Sequence, residues 1–216
     1  MKDKRFTLIV LRHGNTFEAN QVATQVGCKT DLPLTEKGLS QAQHFTTLLQ
    51  QKGLSPNRIY CGALQRQSKT ANIIKAAFPD AALFEKQPSL DEIDYGAWEG
   101  LTTDQIKAQW ANEYENWVAQ AQWPNSLFGA SLSKHTQALN QWLTEMAQAV
   151  PDNGLIVAVS SNGIIRLMLQ WLPQLWDNLV KEKKMESYKV GTGNYCEFSF
   201  EGLIPSVQAW NVKPGS

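Results

Sequence analysis

The tripeptide Arg12-His13-Gly14 follows directly on an apolar run over residues 6–11. A guanidinium and an imidazole side by side at the end of a buried segment are costly unless an anion meets them. Arginine suits phosphate because its planar fork donates two parallel hydrogen bonds. A neutral histidine beside it can attack phosphorus and hold the phosphoryl group covalently. Gly14 lets the chain turn closely around a ligand. CGALQRQSKTA (61–71) places Arg66 at the end of a strand and the start of a helix, where free backbone amides also favour anions. LDEIDYGAWEG (90–100) is an acidic loop with two glycines, a home for a proton donor. Taken alone, Arg-His-Gly equally suits a solvated strand end; the other two stretches, in this order, give it weight.

These residues need a scaffold that brings distant strand ends together, and the hydrophobic periodicity supplies one. RFTLIVL (5–11) reads as a buried strand, short, β-branched and followed by a polar turn. Residues 34–53 read as a helix, with Thr35 as N-cap, Leu39, Ala42, Phe45, Leu48 and Leu49 on one face, and Gly53 as its stop. RIYCG (58–62) is a second strand, 67–78 a second helix, and AALFEK (81–86) a third strand. A polar, Trp-bearing helix runs from 101 to about 122, the loop WPNSLFGAS follows, and 131–150 is helical again. LIVAVS (155–160) is the clearest buried strand and leads into a helix at about Ile164; YCEFSF and VQAWNV read as a closing antiparallel pair. Strands alternating with helices predict a single α/β domain, a three-layer α/β/α sandwich around a mostly parallel sheet. Ligands of such sheets bind beyond the carboxyl ends of the strands. Two of those ends are conspicuously polar: Arg12-His13-Gly14-Asn15-Thr16, and Ser160-Ser161-Asn162-Gly163 with Arg166 one turn on.

From residue 8 to about 200 the chain resembles the histidine phosphatase superfamily, the group that includes phosphoglycerate mutases, fructose-2,6-bisphosphatases and alpha-ribazole phosphatases. LRHGNT is similar to its nucleophile motif, TDLPLTEKGLSQA to its loop and first helix, CGALQRQSKTA to its second arginine motif and LDEIDYGAWEG to its acid loop. The resemblance implies a phosphoglycerate mutase-like fold with a small helical cap, here about 98–135. It implies His13 as the nucleophile that becomes phosphohistidine, and Arg12 and Arg66 as clamps on the phosphoryl oxygens. It makes Glu92 the acid that protonates the leaving oxygen and later activates water, ahead of Asp91 and Asp94. Asn15, Thr16, Asn162 and Gly163 would line the phosphate pocket.

The chain departs from that pattern in three places. The family's last motif is a strand followed by His-Gly and then an arginine, and VAVSSNGIIR places Asn162 where the second histidine belongs. The remaining histidines, His44 and His135, fall in the first helix and in the helix after FGAS. Ala130 stands where the family often has a glutamate, and Asn20 lies one residue too far from His13 for a family role. Asn162 can donate its amide but brings no charge. A hydrogen bond to a charged group contributes about 1.5–3 kcal/mol against roughly 1 for a neutral one. The expected penalty is thus about ten- to a hundredfold in rate, damage rather than abolition.

With 216 residues and 43% hydrophobic content the chain can bury a sizeable core. Its formal net charge of zero gives no global field for nucleic acid or an anionic membrane. Three scattered cysteines, Cys28, Cys61 and Cys196, argue against a disulfide framework or a structural zinc site and suit a reducing, cytoplasmic setting. The N-terminal apolar run is too short for a signal peptide. The expected protein is a phosphatase of a phosphorylated small molecule, with no cofactor and no metal. A catalytically weak or inactive phosphate-binding module is the first alternative, and a phosphoglycerate mutase-type transferase the second. No phosphoglycerate-reading residues are evident in 101–135, which favours hydrolysis.

Overall fold

The computed structural model describes residues 4–79, 83–171 and 188–215. A six-stranded sheet runs through the molecule in the order β3-β2-β4-β1-β5-β6. Its strands are β1 (Arg5–Arg12), β2 (Arg58–Cys61), β3 (Leu83–Lys86), β4 (Gly154–Ser160), β5 (Tyr195–Glu201) and β6 (Ile204–Val212). The β1–β4, β2–β4 and β2–β3 pairs are parallel, and the β1–β5 and β5–β6 pairs antiparallel. The sheet is therefore mixed, with the late hairpin adding an antiparallel flank to a parallel body. Ala81 and Ala82, expected in the third strand, lie outside the described residues.

Strand alternation sorts the core into two layers. Leu8, Val10, Ile156 and Ala158 face one side, where α4 (Leu132–Ala149) and α5 (Asn162–Met168) pack with the long helix α3 (Thr103–Gln120) and its following loop. Ile9, Leu11, Leu155, Val157 and Val159 face the other, against α1 (Glu36–Gln51) and α2 (Gln65–Ala77). All seven residues of β4 are buried, as a central strand covered on both faces requires.

Helix ends follow their local chemistry. Thr35 accepts from the Gly38 amide at 3.1 Å and starts α1, and Gly53 follows the helix at φ +64°. Thr102 and Gln105 form a reciprocal capping box at the start of α3. Two starts differ from the periodicity. Helix α2 begins at Gln65 and α5 at Asn162, each earlier than its apolar face suggests, because polar partners hold the first turns: Asp31 accepts from the Gln65 amide at 2.7 Å, and Asn162 Oδ1 accepts from the Val190 amide at 2.8 Å. Aromatic rings fill the space between α3 and the sheet: Phe128 meets Tyr95, Trp98, Trp117 and Trp123 edge-on at 5.0–5.3 Å.

Candidate active site

The polar strand ends meet because β1 and β4 are parallel neighbours. Arg12 is in register with Ser160, and the His13 amide donates to the Ser160 carbonyl at 3.1 Å. After His13 the chain turns against the start of α1 so closely that a Cβ on Gly14 would stand 2.3 Å from the Gly38 carbonyl oxygen. Only glycine at position 14 permits that approach.

A cleft of about 380 Å³ opens above these ends, and Arg12, His13, Asn15, Thr16, Arg66, Glu92 and Asn162 all line it. His13 is 5% exposed, and its Nδ1 lies 2.8 Å from the Gly14 carbonyl oxygen. A carbonyl only accepts, so Nδ1 carries the proton and Nε2 keeps its lone pair. Burial, reinforced by the charges of Arg12 and Arg66, pushes the imidazole pKa well below its ordinary value of 6.5. Burial thus favours the neutral imidazole of His13, with its lone pair on Nε2.

The two arginines are held from behind by backbone carbonyls. Arg12 Nη1 donates to Val190 at 2.6 Å. Arg66 Nη1 and Nη2 donate to Thr30 and Gly27 at 2.8 and 3.0 Å. Each guanidinium has N–H groups to spare for a ligand, and Arg12 Nε is buried without a partner.

Glu92 is 6% exposed. Its Oε1 accepts from the Ile93 amide at 2.9 Å, and its Oε2 from the Gly163 amide at 3.3 Å and the Tyr95 hydroxyl at 3.5 Å. Burial raises its pKa above 4.5, and neither these amides nor the charges of Arg66 and Arg12 cancel that effect. The competing carboxylates are spent elsewhere. Asp91 caps the Ala63 amide. Asp94 pairs with Lys29 at 2.9 Å and accepts from Gly96; burial favours its neutral form, but the Lys29 ammonium and the Gly96 amide outweigh burial and hold it below its ordinary value.

A profile of the histidine phosphatase superfamily, branch 1, matches residues 8–213. The chain belongs to that superfamily. It is 28% identical over 166 residues to the adenosylcobalamin/alpha-ribazole phosphatase of Salmonella typhimurium, covering 75% of this chain and 77% of that one. It is 40% identical over 111 residues to the 2,3-bisphosphoglycerate-dependent phosphoglycerate mutase of Bartonella bacilliformis, covering 50% of this chain. The match spans about half the length of that mutase, 52%. The fold resembles a mycobacterial glucosyl-3-phosphoglycerate phosphatase with a TM-score of 0.76 at 22% identity, over 97% of this chain and 99% of that one.

The β4 end completes the site. The β1–β4 ladder ends at Arg12 and Ser160, and Ser161 follows as the residue before α5. Ser161 is fully buried and accepts from Gln67 Nε2 at 2.9 Å; Gln67 also donates to the Leu90 carbonyl at 2.8 Å, as does Ser160 Oγ. These three side chains pin the backbone just ahead of Glu92. Asn162 faces the cleft instead. Its Oδ1 accepts from the Val190 amide at 2.8 Å, which leaves its NH₂ as the end available to a ligand. Gly163 does not line the cleft; its amide is on Glu92, and a Cβ there would stand 2.5 Å from Glu92 Oε1.

The other histidines stay away from the cleft. His44 is exposed on α1, and His135 packs on Trp123 with ring centroids 5.5 Å apart. Ala130 and Asn20 are likewise absent from the lining. Sequence reasoning did not assign a site role to Tyr95, Trp117 or Arg166, all of which line the cleft. Arg166 had a visible signal, its place one turn after the polar strand end; the two aromatics read equally well as core. Among the described residues no group of three or more His, Cys, Asp or Glu side chains is arranged to hold a metal, and no helix is long and apolar enough to cross a membrane.

Proposed function

We propose that this chain hydrolyses a phosphomonoester of a small molecule through a phosphohistidine at His13. The observation that carries the reading is the pairing, in one cleft, of a neutral His13 with its lone pair on Nε2 and a buried Glu92 biased toward its protonated form. Nε2 attacks phosphorus while the bond from phosphorus to the alcohol oxygen breaks, and the Glu92 proton passes to that oxygen. Water then attacks the phosphohistidine, Glu92 takes its proton, and Nε2 leaves with phosphate released. Arg12, Arg66 and the Asn162 amide donate to the three phosphoryl oxygens, on which the charge is spread in transfer. Asn15 and Thr16 line the same end. A mutase must shield the phosphohistidine from water while its substrate reorients, and a site without a second histidine grips the phosphoryl group too weakly for that.

One observation favours a second reading, a phosphate-binding module without turnover. Beyond the end of β4 the buried Ser161 is already bonded to Gln67 and the cleft-lining Asn162 is neutral, so neither brings a second cationic side chain to the phosphoryl group. The two readings separate in an assay on 4-nitrophenyl phosphate with wild type, His13→Ala and Glu92→Gln. Hydrolysis is expected from wild type, none above background from His13→Ala, and an acid-labile, base-stable phosphoryl group should be trapped on wild-type His13. Turnover that survives His13→Ala would sink the mechanism, and inert wild type that still binds phosphate would select the binding module.

A further inference from the structure

Arg66 owes its orientation to two carbonyls, and the residues that supply them share a second partner. Arg66 Nη1 donates to the Thr30 carbonyl at 2.8 Å and Nη2 to the Gly27 carbonyl at 3.0 Å. The donors of the same two residues go to the carboxylate of Glu99. Thr30 Oγ1 donates to Glu99 Oε1 at 2.6 Å, and the Gly27 amide reaches Oε1 and Oε2, both at 3.0 Å. The loop over residues 27–30 thus lies between a carboxylate and a guanidinium and is bonded to both. Glycine at position 27 makes this possible. A Cβ there would stand 2.3 Å from Glu99 Oε2 and 2.7 Å from the Ile93 carbonyl oxygen, so a larger residue would push the loop off the carboxylate.

Glu99 itself stays out of the chemistry. It does not line the cleft, and among the described residues it forms no ion pair with Arg66. It follows Trp98, whose buried ring packs on Phe128 and anchors the backbone that carries the carboxylate. The loop has further ties that do not involve Glu99. The Cys28 amide donates to the Ile93 carbonyl at 3.1 Å, and Lys29 pairs with Asp94 at 2.9 Å. Loss of the Glu99 carboxylate therefore leaves the loop attached but releases the two residues that hold Arg66. A guanidinium meets phosphate with a planar fork, and it does so best when that plane is fixed before the ligand arrives.

We propose that Glu99 is a positioning residue for the phosphate site: its carboxylate fixes Gly27 and Thr30, whose carbonyls orient Arg66 toward the phosphoryl group. The proposal rests on the reading of the cleft as a phosphate site and goes beyond it in naming what sets its second arginine.

The test is a double-mutant cycle between Glu99→Ala and Arg66→Met. It is read by inorganic phosphate binding in phosphorus NMR titrations, which follow weak affinities and need no turnover. Glu99→Ala should weaken phosphate about tenfold in the otherwise wild-type chain, within the coupling typical of residues in one hydrogen-bond network, and should add no loss in Arg66→Met. Glu99→Gln, which keeps one oxygen for Thr30, should lose less. A second measurement reads Arg66 directly, in NMR spectra of isotope-labelled arginine side chains without ligand. The Arg66 Nη resonances, separate when rotation is restricted, should merge in Glu99→Ala. An equal loss of phosphate affinity in both backgrounds overturns the proposal and marks Glu99 as a strut of the fold; unchanged Arg66 resonances overturn it too. Where Arg66→Met binds too weakly to titrate, the spectra decide. Should Glu99→Ala not fold, Thr30→Val takes its place, because it removes the hydroxyl on Glu99 and keeps the carbonyl on Arg66. If Arg66→Met leaves phosphate binding unchanged, the phosphate reading of the cleft falls and the Glu99 proposal with it. If Arg66→Met weakens phosphate and Glu99→Ala does not, the Glu99 proposal alone falls.

Discussion

Burial disfavours charge on His13 and on Glu92 alike, and that single effect suits both to the opposite tasks of the proposed mechanism: a nucleophile without its proton and an acid with one. The rate should rise with pH through the lowered His13 pKa, below 6.5, and fall through the raised Glu92 pKa, above 4.5. A kcat/KM profile on an alkyl phosphate, corrected for the substrate's own ionisation, checks both limbs. Glu92→Gln should cost about 10²–10⁴ in rate on an alkyl phosphate, and much less on 4-nitrophenyl phosphate, whose leaving oxygen needs little help. The same substitution should stabilise the fold. Between 4.5 and the raised folded value the native state binds more protons than the unfolded chain, so stability falls as pH rises through that window. Glu92→Gln removes this loss, and its Tm should exceed wild type at mildly alkaline pH and converge with it in acid. Asn162→Asp keeps an acceptor for the Val190 amide but turns the cleft-facing donor into an anion. Inorganic phosphate affinity should fall at least tenfold, about 1.4 kcal/mol, by calorimetry.

At the scale of elements, the acid loop is placed by β4, α2 and α5 together. The Leu90 carbonyl takes hydrogen bonds from Gln67 and Ser160, both at 2.8 Å, two residues before Glu92. Gln67→Leu leaves Ser161 Oγ without its donor in a fully buried position, a loss of about 1–3 kcal/mol, readable by denaturant unfolding. If the network orients Glu92, this variant also slows alkyl phosphates more than 4-nitrophenyl phosphate; equal slowing would show a structural role only. Gly163 acts from the other side. Its missing side chain lets α5 approach Glu92, and Gly163→Ala would place a Cβ 2.5 Å from Oε1 and 2.8 Å from the Tyr95 hydroxyl. We expect a folded protein, by circular dichroism, with a Glu92-type defect in acid-assisted cleavage.

For the molecule as a whole, zero net charge conceals a strongly polarised interior. Three arginines, two of them buried, line one cleft with a single carboxylate among them, an arrangement that opposes folding until an anion binds. A ligand that binds only the native state stabilises it by about 2.7 kcal/mol at a hundred times its Kd. Inorganic phosphate or vanadate should therefore raise Tm in a concentration-dependent way, and Arg66→Met should abolish most of that shift while the core, packed on both sheet faces, stays intact.

Residue types and their order along the chain determined much of this by themselves. The parallel α/β scaffold, the polar ends of β1 and β4, and the arginine, histidine and acid motifs were all legible, because hydrophobic period and local turn chemistry are short-range properties. Glu92 could be ranked above Asp91 and Asp94 only through resemblance; tertiary structure supplied the physical reason, spending the two aspartates on the Ala63 amide and Lys29. It also decided what meets His13 from β4. Register between strands almost 150 residues apart put the Ser160 carbonyl on the His13 amide and brought Asn162 into the same cleft. That meeting, the Tyr95 and Trp117 walls, and the packing of Arg166 on Trp117 depend on contacts between distant segments, which no local pattern encodes.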